Sequence, residues 1–141
     1  MKLFNKLASV TIALFVLSAS ACGQTMNEAV DYDLTVMGSD MVYATVFQMV
    51  TEPSNFLGKS FKITGKYNES YFEGTDTTYR YIVIADATAC CSQGIEFLLQ
   101  DGEYPDVGKE ITVNGTLETY EEEYEGEIHT FVHLVNCEKQ G

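Results

Sequence analysis

The pattern Gly-Lys-x-Φ-x-Φ-x-Gly, in which Φ is an apolar residue, occurs twice in this chain, at residues 58–65 and 108–115. In both copies apolar and polar residues alternate, which is typical of a β-strand with one buried and one solvated face. A glycine in mid-strand indicates a sharp bend, as small barrels require. The repeat therefore predicts two bent strands that pair with each other where a small barrel closes.

The rest of the folded region predicts one short helix and three further strands. Apolar residues at three- and four-residue spacing predict a helix over residues 41–51, capped by Ser39-Asp40 and closed by Pro53. Turn residues separate five predicted strands, at residues 60–68, 78–86, 94–100, 109–120 and 127–137. The predicted fold class is all-β: a five-stranded OB-fold-like barrel with a short N-terminal helix, preceded by a signal peptide and a polar tether.

The alternation in each strand also predicts which side chains form the core of the barrel. One apolar set in each strand points to a common side, because successive side chains of a strand point to opposite faces. The predicted core residues are Phe61, Ile63, Ile95, Phe97, Ile111, Val113, Leu117, Val132 and Leu134.

The first 21 residues have the features of a secretory signal peptide. Lys2 and Lys6 precede an apolar stretch at residues 8–17, and small residues lead to Cys22. This arrangement resembles a bacterial lipobox, in which a peptidase cuts before a cysteine that carries diacylglycerol. The resemblance implies that Cys22 is the lipidated N-terminus. The alternative is ordinary secretory cleavage near Ala21, which leaves Cys22 unmodified.

These features predict three segments and a location. Residues 1–21 form the lipoprotein signal peptide, residues 22–40 the lipidated N-terminus and tether, and residues 41–141 the OB-fold-like domain. The expected location is the bacterial cell envelope, on the outer face of the membrane. The lipid anchor makes the membrane one partner of this protein.

The charge balance bears on the other partners. The chain has 8 basic and 21 acidic residues, which give a formal net charge of −13. Nucleic-acid binding normally requires a basic surface, so the composition predicts no nucleic-acid partner. The expected partner is an unidentified protein or small molecule.

Several phrases of the folded region resemble those of a known group of proteins. They are Met41-Val42-Tyr43, residues 53–59, residues 86–91 and residues 94–97. From Asp33 onward the chain resembles small secreted OB-fold lipoproteins of Gram-positive bacteria, which belong to a superfamily with nucleic-acid-binding relatives. The paired cysteines also resemble those in extracytoplasmic domains of permease-associated membrane proteins that are suspected in metal homeostasis. Neither resemblance implies a catalytic residue.

The adjacent cysteines Cys90 and Cys91 allow three interpretations. One of them forms a structural disulfide with Cys137, the favoured prediction because Cys137 is the remaining candidate partner once Cys22 is lipidated. Alternatively, the pair binds zinc or copper(I) with His133 and Glu96 as further ligands. In the third interpretation, a vicinal disulfide joins the two cysteines.

A cluster of aromatic residues, Tyr71, Phe72, Tyr79 and Tyr81, is a candidate lining for a ligand groove on the barrel face. The alternative is ordinary β-sheet surface, where tyrosine is common. Because no catalytic or nucleotide-binding motif is visible, the expected function is non-catalytic. The sequence thus favours a membrane-anchored extracytoplasmic lipoprotein whose OB-fold binds a protein or small ligand without a cofactor. The alternative is a zinc- or copper-binding lipoprotein.

Overall fold

A computed structural model describes residues 29–140 of the chain. The predicted signal peptide and Cys22 lie outside the described residues. The described part contains one α-helix, α1 (Ser39–Thr51), and two short 3-10 turns, at Leu34–Val36 and Pro53–Asn55. Its six strands are β1 (Tyr32–Asp33), β2 (Ser60–Phe72), β3 (Thr77–Ala85), β4 (Ser92–Leu99), β5 (Glu110–Tyr124) and β6 (Glu127–Lys139). Within residues 29–140, no helix has the length and apolar character needed to span a bilayer.

Five of the strands form a closed ring. Their order is β2-β3-β4-β6-β5, and β5 pairs with β2 to complete the ring, while the two-residue β1 adds to β2 in parallel. Neighbouring strands are antiparallel except β4 and β6, which are parallel. This is the connectivity of an OB-fold barrel, so the predicted all-β, five-stranded OB-fold-like barrel with an N-terminal helix is confirmed.

The repeated sequence pattern pairs with itself at the closure. Phe61 lies opposite Gly115, and Gly65 lies opposite Ile111, in an antiparallel register. The first part of β2 pairs with β5 and the rest pairs with β3, so the strand changes partner at Gly65-Lys66. A side chain at Gly65 would meet the carbonyl oxygen of Val83 at 2.8 Å. Glycine is therefore required there because two backbones approach closely at the bend.

The core has the composition that the strand alternation predicts. Of the nine predicted core residues, all are buried except Val132, which is half-buried against the core. The additional buried side chains are Leu34, Val46, Met49, Tyr67, Ile82, Ile84, Leu99 and Cys137. Helix α1 contributes Val46 and Met49, which lie on its predicted apolar face and pack toward the barrel.

The folded region begins earlier than the predicted boundary at residue 41. Leu34 is 1% exposed in the core, and the Asp31 carboxylate accepts hydrogen bonds from the backbone and side chain of Ser60 at 2.8 and 2.9 Å. The helix also begins at Ser39, with Gly38 rather than Ser39-Asp40 at the cap. The second half of the predicted tether is therefore part of the domain, because one apolar anchor and a polar bridge attach it to β2.

Both long hairpins extend beyond their predicted ends. β2 continues to Phe72 rather than Asn68, and β5 continues to Tyr124 rather than Tyr120. The turn between β5 and β6 consists only of Glu125 and Gly126, with φ of 54° and 82°. Two consecutive positive φ values are typical of the tight type I′ hairpin, which matches the twist of its strands. Residues 121–126, which lie between two of the predicted strands, are thus mostly paired strand.

Candidate functional site

A groove of about 830 Å³ lies between the two hairpins and crosses the barrel face. It lies on the side of β3 and β4 where OB-folds generally bind ligands, flanked by the loops that join the first and last strand pairs of the barrel. Aromatic residues dominate its walls: Phe72, Tyr79, Tyr81, Tyr120, Tyr124 and Phe131. The groove is also lined by Val50 and Pro53 beside the end of α1, and by the polar residues Glu96, Glu122 and His129.

Two carboxylates sit among these rings, each bound by a tyrosine hydroxyl. Tyr120 donates a hydrogen bond to Oε2 of Glu96 at 2.6 Å. Tyr79 donates a short hydrogen bond to Oε2 of Glu122. Each pair joins two strands, so the hydrogen bonds hold both acids in fixed positions along the groove.

The surroundings of Glu96 oppose its ionisation. Burial raises the pKa of Glu96, the Tyr120 hydroxyl lowers it, and the charge of Glu122 raises it, with a net upward shift. Burial and the hydrogen bond to Glu96 likewise raise the pKa of Tyr120. Burial and the hydrogen bond to Glu122 raise the pKa of Tyr79. The groove thus concentrates negative charge that a bound cation would offset.

His133 lies beside this acidic pair. It faces Glu96 across the β4–β6 register, and its ring centroid is 4.6 Å from that of Tyr120. Burial lowers the pKa of His133, although the charge of Glu118 acts in the opposite direction. The imidazole packs against the Tyr120 ring in a tilted arrangement.

The tyrosine cluster predicted from sequence is only partly in the groove. Tyr79, Tyr81 and Phe72 line it, whereas Tyr71 is 62% exposed and donates a hydrogen bond to Asp76 at 2.8 Å. Tyr71 points away because it precedes Phe72 in a strand, where adjacent side chains face opposite sides. The sequence alone did not predict that Tyr120, Glu122 and Phe131 line the groove. Glu122 falls between the strands predicted at residues 109–120 and 127–137, and the strand pattern does not show which aromatic side chains of different strands meet.

The predicted disulfide between Cys137 and the cysteine pair is wrong. All three thiols are free in the described part of the chain. Cys91 directly precedes β4, whereas Cys137 pairs with Leu99 at the opposite end of that strand. Eight residues of extended strand span roughly 26 Å. A disulfide requires Cα atoms about 4.4–6.8 Å apart.

The predicted metal-ligand set is also not brought together. Glu96 and His133 are register partners in mid-strand, but Glu96 lies five residues beyond Cys91, about 16 Å along an extended strand. The group that does assemble at the cysteine pair includes Asp86 instead. Burial raises the pKa of Asp86, but hydrogen bonds from Cys90, Cys91 and Thr88 lower it more. The Cys90 hydrogen bond, with smaller effects of burial and Asp86, raises the pKa of Cys91.

Similarity to known proteins was found only among solved structures. No protein-family model matches the chain, and no curated protein matches it. Among the solved structures that do match is the mitochondrial single-stranded DNA-binding protein of S. cerevisiae, at 17% identity and a TM-score of 0.34. The match covers 60% of this chain and 91% of that chain.

This match corrects one expectation from composition. The prediction that an acidic chain of this kind has no nucleic-acid partner is overturned, because the similar structure is a single-stranded DNA-binding protein. At this identity and TM-score, the match does not itself identify what this chain binds.

Proposed function

We propose that this chain is a non-catalytic, lipid-anchored binding protein of a bacterial cell envelope, whose OB-fold groove binds an organic cation. One observation carries the proposal: Glu96 and Glu122 are held by tyrosine hydroxyls within an aromatic groove. Among the described residues that line the groove, none is Lys or Arg. The groove thus combines fixed negative charge with aromatic faces.

Both components favour a positively charged ligand. An ammonium or guanidinium group within about 6 Å of an aromatic ring is attracted by the ring quadrupole, by roughly 0.5–2 kcal/mol. A carboxylate at hydrogen-bond distance adds about 1.5–3 kcal/mol. A bound cation should stabilise the half-buried Glu96 carboxylate most, because the cation replaces the water that this carboxylate loses on burial.

The cation has two candidate sources with the same chemistry. One is a small polyamine, and the other is a Lys- or Arg-rich segment of a partner protein. The open groove between two hairpins accepts an extended ligand, and Phe72, Phe131 and the other aromatic walls cover its methylene groups. Comparing the two kinds of ligand at equal charge distinguishes the sources.

The location rests on the N-terminal sequence. Lys2, Lys6, the apolar stretch at residues 8–17 and Cys22 support a lipid anchor on the outer face of the membrane. Cys22→Ser should release the protein from the membrane fraction or leave the precursor uncleaved. Normal processing and full membrane retention of this variant would contradict the anchor.

The binding proposal is tested by calorimetric titration of the purified chain with spermidine, with a Lys/Arg-rich peptide and with a single-stranded oligonucleotide. We expect a cation to bind, and each of Glu96→Gln and Glu122→Gln to weaken binding about tenfold, as expected for a lost charge-assisted contact. Glu123→Gln is the matched control, because Glu123 is exposed and adjacent to Glu122 but does not line the groove.

Two outcomes would contradict the proposal. The first is equal weakening by Glu123→Gln and Glu122→Gln, which would mean that net charge rather than the groove attracts the cation. The second is binding of the oligonucleotide but of neither cation, which would make the groove a nucleic-acid site.

A further inference from the structure

The loop between β3 and β4, outside the groove, brings together three side chains that can ligate a metal ion: Asp86, Cys90 and Cys91. Sγ of Cys90 lies 3.6 Å from Sγ of Cys91 and 3.3 Å from Oδ2 of Asp86. All three ligand atoms lie within 4.8 Å of one another. Both cysteines are exposed and their thiols are free.

Backbone hydrogen bonds hold the loop in this shape. The amide of Asp86 donates to the carbonyl of Cys91 at 3.0 Å, which closes the loop at its base. The amide of Cys90 donates to Oδ1 of Asp86 at 3.0 Å, so the other carboxylate oxygen, Oδ2, faces the Cys90 thiol. Ala89 has φ of 54°, which turns the chain so that both cysteines follow on the same side as Asp86.

We propose that Asp86, Cys90 and Cys91 form a zinc-binding site. Tetrahedral zinc with Zn–S bonds of about 2.3 Å separates two sulfur ligands by about 3.8 Å. With a Zn–O bond of about 2.1 Å, it separates sulfur from oxygen by about 3.6 Å. The separations in the loop, 3.6 Å and 3.3 Å, need only small adjustments to reach these values.

The donor set favours zinc over copper(I). Copper(I) selects soft thiolate and thioether ligands, whereas zinc accepts a carboxylate beside thiolates. Three protein ligands leave one tetrahedral position open at the surface for water or for a ligand from another molecule. Asp40 also reaches the loop, where its Oδ1 accepts a hydrogen bond from the amide of Ala87 at 3.2 Å.

This site is independent of the groove and is tested separately. The experiment uses the full chain carrying Cys22→Ser, fully reduced with a non-thiol reductant and with its free thiols counted. Zn²⁺ affinity is measured by competition with a chromophoric chelator, and Co²⁺ is added to detect thiolate-to-cobalt charge transfer. The variants are Cys90→Ser, Cys91→Ser and Asp86→Asn. Asp106→Asn, which changes an exposed aspartate on another loop, is the control.

We expect one Zn²⁺ per chain, with each of the three variants at least about tenfold weaker, since the loss of even an outer-shell partner costs about 10–100-fold in affinity. Asp106→Asn should bind as the parent does, and thermal unfolding should show that every variant folds. Failure of the reduced parent to bind Zn²⁺ would overturn the proposal. Equal affinity of Asp86→Asn and the parent would overturn the carboxylate ligand.

Discussion

The Tyr120 hydroxyl on β5 reaches across β6 to Oε2 of Glu96 on β4, at 2.6 Å. The His133 ring of the intervening strand lies against the Tyr120 ring, with 4.6 Å between their centroids. Three strands that meet only in the folded barrel therefore set the position of one half-buried carboxylate in the groove.

This relationship predicts a pH-dependent stability. The pKa of Glu96 is raised in the folded chain, so the folded state binds this proton more tightly than the unfolded state. Its contribution to the free energy of unfolding is present at low pH and is lost as pH rises from about 4.5 through the raised pKa. The free energy of unfolding of Glu96→Gln, relative to that of the parent, should therefore be higher at pH 7 than at pH 4. Urea unfolding at both pH values measures this difference, with Glu123→Gln, which removes a charge at an exposed position outside the groove, as the matched control.

Cation binding should depend on the same carboxylate. Glu96 must be ionised to attract a cation, so affinity should fall as pH drops through its raised pKa. Titration of the cationic peptide from pH 7 to pH 4 should show a loss that is smaller in Glu96→Gln. Identical pH profiles for parent and variant would mean that Glu96 does not contact the cation.

The inward face of β4 can be tested with two neighbouring residues. Phe97 is fully buried, whereas Leu98 is 41% exposed. Phe97→Ala should lower the free energy of unfolding by about 3–5 kcal/mol, because it removes a large buried side chain and leaves a cavity. Leu98→Ala should change it by at most about 0.5 kcal/mol. Similar effects of the two substitutions in denaturant unfolding would contradict the register of the strand.

The close approach at the bend in β2 predicts the effect of a single methyl group. A Cβ at Gly65 would lie 2.7 Å from Cδ1 of Ile84 and 2.8 Å from the carbonyl oxygen of Val83. Since backbone cannot yield as a side chain can, Gly65→Ala should cost about 1–3 kcal/mol in thermal or urea unfolding. A Cβ at Gly38 would meet no atom within 4 Å apart from those of its chain neighbours, so Gly38→Ser should be close to neutral.

The three free thiols of the described chain should differ in reactivity. Burial raises the pKa of Cys137 to about 12, whereas Cys90 and Cys91 are exposed. In the Cys22→Ser chain, with a chelator present, an aromatic disulfide reagent at pH 8 should modify two thiols rapidly. The third should react only as the chain unfolds, because the thiolate is the reactive form. Rapid modification of all three without denaturant would contradict the burial of Cys137.

The sequence alone determined the barrel. Alternation in the two copies of the repeated pattern defined the strands that close the ring, and Gly65 and Gly115 marked where they approach other strands. Burial of one face of a strand imposes this alternation on successive residues, so the pattern is visible without knowing the partner strand. The predicted core follows for the same reason.

The tertiary structure decided which distant side chains meet. β6 has a bulge near Asn136: from Leu134 to Cys137 it moves three residues while its partner β4 moves two. The bulge turns Cys137 into the core rather than onto the face of His133. Pairing with β6 likewise extends β5, so that Glu122 lines the groove instead of a solvated turn. Hydrogen bonds within the β3–β4 loop, from the backbone amides of Asp86 and Cys90, bring Asp86 to the cysteines. Register and bulges depend on hydrogen bonds to residues far along the chain, and a local pattern carries no record of those partners.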